Sequence, residues 1–283
     1  MGKVFRILKG VVVTVFFLLI YGLWILCSKV ANRIGLGYIG NHDGNIQTPV
    51  VFYENPETKR RVVFIGMIHI AESVYFSAVQ QLIDLIESHG ECQVLYEMVQ
   101  PLSDEEKVSL SEKERIIFRE MTAKIGSVKQ LADLVGLQYQ KDGLKYRSSW
   151  VNTDLRMYEL VTAFAQRKRV VWGKSNFSLD DVSEAEAEKV IDFFLKHMVL
   201  INYLADLVGF FSPKVKDFND LILGKRNDVA IQGIRRCIEN EDVVTIWGAK
   251  HLPGIEKQLK AMGFQESERM WFTAYCVKNL GIF

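Results

Sequence analysis

A chain of 283 residues with 49% hydrophobic and 24% charged side chains has ample apolar material for a buried core, which excludes a disordered chain. Thirty-five Lys and Arg side chains balance thirty-four Asp and Glu, so no general field draws a phosphate backbone and nucleic acid is not an expected partner. Four cysteines without a CxxC pair leave the redox compartment open and read most simply as buried thiols.

The first nine residues carry Lys3, Arg6 and Lys9, and from Gly10 to Cys27 there is no charged residue. About 18 residues of helix span about 27 Å, close to the hydrocarbon thickness, so 10–27 is expected to be a transmembrane anchor. A cleaved signal peptide would have a shorter apolar region and a small-x-small site, which Leu26-Cys27-Ser28 does not supply. The basic residues before the run outnumber Lys29 and Arg33 after it, which favours a cytoplasmic N-terminus with the rest of this single-pass chain outside the cytoplasm. The lipid bilayer is thus the first expected partner.

Residues 28–48 are broken by Gly35, Gly37, Gly40 and Gly44 and read as a linker. Residues 49–283 then form the expected domain. Val50 to Tyr53 and Arg61 to Ile65, joined by a turn at Asn55-Pro56, read as a hairpin. Tyr75, Val79, Leu82, Ile83 and Ile86 form one stripe of an amphipathic helix that Gly90 ends. Gln93 to Tyr96 is a short strand, and Ser103 to about Val135 is helical in composition. Asn152 or Thr153 is expected to cap a helix running to Arg167.

Ser183 and Glu186 have capping-box spacing before the apolar stretch Ala187 to Phe211, which Pro213 closes. Lys196, His197 and Asp206 interrupt that stretch. A central charge costs a membrane span about 2.5 to 3.5 kcal/mol, so a buried or partner-facing helix is expected there instead of a second span. Helix continues to Asn240, followed by a strand at Val243 to Trp247, a helix from Pro253 to Met262 and a last strand ending near Val277. The basic runs Arg167-Lys168-Arg169 and Arg235-Arg236 read as solvated helix faces.

Three polar residues stand just past the carboxyl ends of three expected strands: His69, Glu97 and His251. Ligands of α/β sheets collect at that edge, so side chains remote in sequence can converge there. Gly66-Met67-Ile68-His69 and Gly248-Ala249-Lys250-His251 share one local pattern, in which glycine lets the backbone turn off the strand. A helix starting at Pro253 would help to keep His251 neutral. Two neutral imidazoles and a carboxylate are a common hydrolytic set for a divalent transition metal such as Mn, Co or Zn, with a position open for water. Glu97 has two candidate chemical roles, metal ligand or general base, with a core-facing structural carboxylate as the third option, and Glu72 is a reserve base. Asp154 reads either as a further residue reaching the same edge or, more simply, as an acid in a first helical turn, and Asn227 as an orienter of Arg226. His42, His89 and His197 read as surface or packing residues.

The quoted residues resemble the TraB/GumN superfamily, which includes the Tiki proteases and is related to the erythromycin esterase and ChaN-like proteins. The matching pieces are Gly66 to His69, the Tyr96-Glu97-Met98 strand end, Gly224 to Ala230 around Arg226, and Gly248 to Ile255, in an order that covers about Val50 to Val277. With the run of elements, the resemblance implies an α/β fold: a central mixed sheet flanked by helices, with helical insertions, preceded by one N-terminal transmembrane helix. It implies a Tiki-like metalloprotease or other metal-dependent hydrolase acting on a peptide or ester, with His69, Glu97 and His251 as metal residues and Glu97 and Arg226 as catalytic ones. Arg226 would hold an oxyanion or a substrate carboxylate. The rival expectation is a non-catalytic regulatory module of the same fold that binds a metal or haem. A third is an interaction protein in which Phe193 to Phe211 docks on a partner or a membrane surface.

Overall fold

The computed structural model describes residues 20–42, 44–167 and 183–276. In chain order the elements are α1 over 20–34, β1 Gly40–His42, β2 Asn45–Glu54, β3 Arg61–Met67, β4 Ile70–Ala71, α2 Ser73–His89, β5 Cys92–Tyr96, α3 Asp104–Ser109, α4 Glu112–Leu134 and β6 Gln138–Tyr139. There follow α5 Gln140–Gly143, β7 Val151–Asn152, α6 Met157–Ala165, α7 Glu184–Lys196, α8 Met198–Phe211, α9 Pro213–Asn219, a π-helical turn Asp220–Lys225, α10 Arg226–Ile238, β8 Asp242–Gly248, a 3-10 turn Ala249–His251, α11 Leu252–Ala261 and β9 Gln265–Cys276.

The α/β class is as expected, and the central sheet is mixed. β3, β8, β5 and β7 run parallel in that spatial order. The hairpin partner β2 is antiparallel to β3, with Val50 opposite Ile65 and Glu54 opposite Arg61, and β9 pairs the other side of β2. Arg61 Nε donates to Asp242 Oδ2 at 2.8 Å, which fixes the amino ends of β3 and β8 in register.

Both faces of the parallel strands are covered, which is why they read as continuous apolar runs. Val62, Phe64, Val243 and Leu95 pack toward α10, α11 and the α7–α8 junction through Ile231, Ile234, Ile255, Leu259, Leu195 and Val199. Val63, Ile65, Val94, Val244 and Ile246 pack toward α2 through Tyr75, Phe76, Val79 and Ile83. A third cluster, with Ile117, Met121, Leu160, Phe164 and Leu221, holds the helical insertion α3, α4 and α6 against the π turn. Capping boxes at Ser103, Ser111 and Ser183 start α3, α4 and α7; the one at Ser183 was visible as a spacing.

Several expectations change. The segment 28–48, read as a linker, is helix to residue 34 and then β1 and the start of β2, with Tyr38 and Ile39 buried in the core; local glycines broke the period while tertiary packing set the structure. The helix expected from Asn152 or Thr153 begins instead at Met157, and Asn152 ends β7. The cysteines are not buried: Cys27 and Cys276 are exposed, Cys92 and Cys237 half-buried. The helix Phe193 to Phe211 breaks at His197, and within it Leu195, His197, Val199 and Leu200 are buried while most of the rest is exposed. Residues 1–19, which hold the first part of the expected anchor, and Lys168 and Arg169 lie outside the described residues. No helix among the described residues is long and apolar enough to cross a membrane.

Gly66 has no left-handed backbone to explain it; its reason is close approach. A Cβ there would lie 2.9 Å from the Pro49 carbonyl oxygen and 3.2 Å from Ala249 Cβ. Gly66→Ala is therefore expected to destabilise the fold by about 1–3 kcal/mol through overpacking, read as a lower denaturant midpoint. A midpoint within error of the parent would show that β2 and β3 can separate without cost.

A candidate active site at the carboxyl edge of the sheet

Each of the four parallel strands delivers a polar residue one to three positions past its end: His69 after β3, Glu97 after β5, His251 after β8 and Asp154 after β7. The ladder itself carries them there. Glu97 N–H donates to the Ile246 carbonyl at 2.9 Å and Thr153 N–H to the Tyr96 carbonyl at 3.0 Å, so the backbone of these exits stays tied to the sheet.

Arg226, the first residue of α10, joins two of them. Its Nε and Nη2 donate to Asp154 Oδ1 and Oδ2 at 2.8 and 2.7 Å, and Nη2 also donates to Glu97 Oε1 at 2.5 Å. Arg226, Asp154, Glu97 and His251 are all buried, none more than 8% exposed. Glu97 Oε2 accepts from the Gly248 N–H, and a Cβ on Gly248 would sit 3.1 Å from that oxygen. This second glycine, too, is needed for approach and not for a turn. The Trp247 ring fills the space between His251, 4.9 Å away centroid to centroid, and the Arg226 guanidinium, 5.6 Å away.

The two histidines are held alike. His251 Nδ1 stands 2.6 Å from Asn227 Oδ1 and His69 Nδ1 stands 3.2 Å from Gln140 Oε1. A carboxamide oxygen only accepts, so each Nδ1 carries the hydrogen, an arrangement that in a neutral ring leaves Nε2 with its lone pair. His251 Nε2 is 3.8 Å from Glu97 Oε1, two acceptors facing each other.

Burial pulls the His251 imidazole down to about 4, opposed by Glu97 and assisted by Arg226 and His69. Burial dominates here. Burial would raise the Glu97 carboxyl, but Arg226, then His251, His69 and the Gly248 N–H outweigh it and hold it at about 2. Asp154 is pushed up by burial against the opposite pull of Arg226. His69 is exposed and acts electrostatically on both Glu97 and His251, so it forms the rim of the same cluster.

The donor set of one carboxylate and two Nε2 lone pairs suits a divalent metal. A second-shell amide on each imidazole is the arrangement that orients metal-binding histidines, and the cluster has two carboxylates against one guanidinium. On the other side, no three His, Cys, Asp or Glu side chains among the described residues stand at metal-holding distances.

Asn227, expected to orient Arg226, orients His251. Glu72 is a structural residue: it stands just before α2 with no side-chain cap bond, and its carboxylate accepts from Cys276 N–H at 2.9 Å. Asp154 was read as a helix-start acid and is instead the buried partner of Arg226; its strand, two residues long, gave no period to read. Gln140 was missed altogether, because only the β4–β6 pairing and its backbone bond to the His69 carbonyl at 2.8 Å bring it near. His197 is a packing residue, its Nδ1 2.7 Å from Ser28 Oγ. A separate cavity of about 380 Å³, lined by Val63, Leu82, Ile86, Cys92 and Met270, reaches Arg61 and Asp242 at the amino ends of β3 and β8, away from this cluster.

No protein-family model matches the chain, and no curated protein matches it significantly.

Arg226→Met would leave two buried carboxylates without a counter-charge and is expected to cost about 3–5 kcal/mol, with Arg226→Lys between it and the parent because an ammonium cannot fork. Equal stability of Arg226→Met and parent in urea would mean that the network is solvated. The pH dependence follows from His251. In metal-free chain, stability falls as pH drops from 6.5 toward about 4, since the unfolded imidazole takes up a proton that the folded one refuses. Glu97 adds its own loss between 4.5 and about 2. His251→Gln should flatten the slope above pH 4.5, leaving the share of His197, which burial also lowers; an unaltered slope would place the His251 ring in water.

Proposed function

We propose that the chain is a membrane-anchored, metal-dependent hydrolase of the TraB/GumN and Tiki kind, cleaving a peptide or ester. The observation that carries the reading is the matched pair of imidazoles, each with Nδ1 tied to an amide oxygen and Nε2 free to bind a cation. His251 Nε2 facing Glu97 Oε1 at 3.8 Å supports it, because a cation relieves two opposed lone pairs. His69, Glu97 and His251 would hold the ion. When bound, a divalent metal lowers the pKa of a water and polarises the scissile carbonyl.

The protein's own groups set the rest. Glu97, held at about 2, is a poor proton acceptor near neutrality, which favours the ligand role over the general-base role. Arg226 has Nη1 without a hydrogen bond among the described residues, and a guanidinium fixed by Asp154 can offer that edge to an oxyanion without reorganising. The exposed His69 marks the side from which substrate would enter. The anchor would be residues 10–27, with the N-terminus cytoplasmic and the domain outside the cytoplasm, supported by the uncharged run and the basic residues before it.

A second reading, a non-catalytic metal- or haem-binding module, is favoured by one fact: both Glu97 oxygens already have donors. Elemental analysis of the full chain in detergent, beside His69→Ala and His251→Ala, separates the two when paired with a peptide-library cleavage assay. The hydrolase predicts a stoichiometric metal and turnover, both lost in either variant, and about 10–100-fold weaker metal binding in Gln140→Ala and Asn227→Ala. Turnover retained in either histidine variant sinks the mechanism. A tight metal with no product favours the second reading.

A further inference from the structure

Of the twenty-two large apolar side chains exposed among the described residues, fifteen lie on α1, α7 and α8. The C-terminal half of α8 is the extreme case. Tyr203, Leu204, Leu207, Val208, Phe210 and Phe211 are all exposed, the last two by 81% and 73%. At about 100° per residue they fall within one arc of about 160°, a single continuous apolar face of the helix. Between Lys196 and Lys214 the sequence has one formal charge, Asp206. That carboxylate is taken up inward, by the Tyr38 hydroxyl at 2.9 Å and by Lys250 Nζ at 3.1 Å. What the half-helix offers to its surroundings is hydrocarbon.

An apolar patch of this extent needs a covering surface, and the chain itself indicates which. Immediately before α1 the sequence runs Val11-Val12-Val13-Thr14-Val15-Phe16-Phe17-Leu18-Leu19, and α1 continues it with Ile20, Tyr21, Leu23 and Leu26 exposed. α1 is seated against the start of α8. Ser28 Oγ meets His197 Nδ1 at 2.7 Å, the Trp24 and His197 rings lie 5.7 Å apart, and Asn32 Nδ2 donates to the Lys196 carbonyl at 3.2 Å. The apolar entry segment and the apolar half-helix therefore leave the domain from one junction. Lys196 before α8 and Lys216 after it suit the anionic headgroup layer that borders the hydrocarbon.

We propose that α8 from Tyr203 to Phe211 rests in the interfacial layer of a lipid bilayer, the same membrane that the N-terminal run enters. This rests on the anchor part of the proposed function and is independent of the metal chemistry.

The test uses the full chain reconstituted in vesicles of phosphatidylcholine and phosphatidylglycerol containing a diazirine-bearing phospholipid, with photoadducts mapped to peptides. Adducts are expected both on the N-terminal run and on the peptide spanning 203–211. The double variant Phe210→Ser/Phe211→Ser, at two exposed positions that leave the core intact, should reduce the 203–211 adducts by about tenfold with an unchanged melting temperature. Adducts on the N-terminal run but none on 203–211 overturn the docking and leave the anchor standing. Adducts on 203–211 alone support the docking and remove the anchor. Absence of adducts at both overturns both. A concentration-dependent dimer in detergent that the same double variant abolishes, with no lipid adducts on α8, gives the face to a second copy and overturns the inference.

Discussion

The guanidinium of Arg226 lies out of water between Asp154 and Glu97, and the carboxyl edge of the sheet is built around that contact. Three separate chain segments meet in it: the exit of β5, the exit of β7 and the first turn of α10. Such a buried ionic cluster is not a cheap source of stability, because desolvating each charge costs several kcal/mol before any attraction is counted. Its value lies in position. A planar fork bonded to two carboxylates admits one orientation, and it fixes Glu97 beside His251. The π-helical turn just before Arg226 fits this account, since an extra residue in a helical turn re-aims the side chain that follows and such turns gather at functional sites.

The cluster carries two formal negative charges against one positive, with His251 neutral. Burial normally penalises an uncompensated charge heavily, yet Glu97 is held ionised. A neutral His251 cannot supply the missing charge. The Gly248 N–H, which donates to Glu97 Oε2, offsets part of it.

The strands and helices with a full period of their own were readable in the chain: the β2–β3 hairpin, α2, β5, β8, α11 and the Ser183 cap. His69, Glu97, Arg226 and His251 could be named because each follows a readable strand or falls in a recognisable motif. Gln140 could not, and Asp154 was seen only as a secondary option, since β6 and β7 are two residues long and exist only because a longer neighbour offers them a ladder. The glycines illustrate a subtler gap. Their place in Gly-x-x-His was plain, but the reason was assigned to turning, whereas Gly66 and Gly248 are required by what lies across from them, the Pro49 carbonyl and the Glu97 carboxylate. Close approach is a property of two segments and cannot be read from one.

The same distinction separates two routes by which α8 is joined to the site. Lys250 precedes His251 and pairs with Asp206 on α8, but both side chains are about a third or more exposed, and an ion pair in that setting contributes about 0–1 kcal/mol. The buried route is stronger. Val199 of α8 lies in the same core cluster as Trp247 and Leu252, the residues that flank the His251 turn, and losing a buried aliphatic side chain of that size costs a few kcal/mol. The shared core, more than the ion pair, is therefore what joins the start of α8 to the elements around His251, and close packing of that kind leaves little slack.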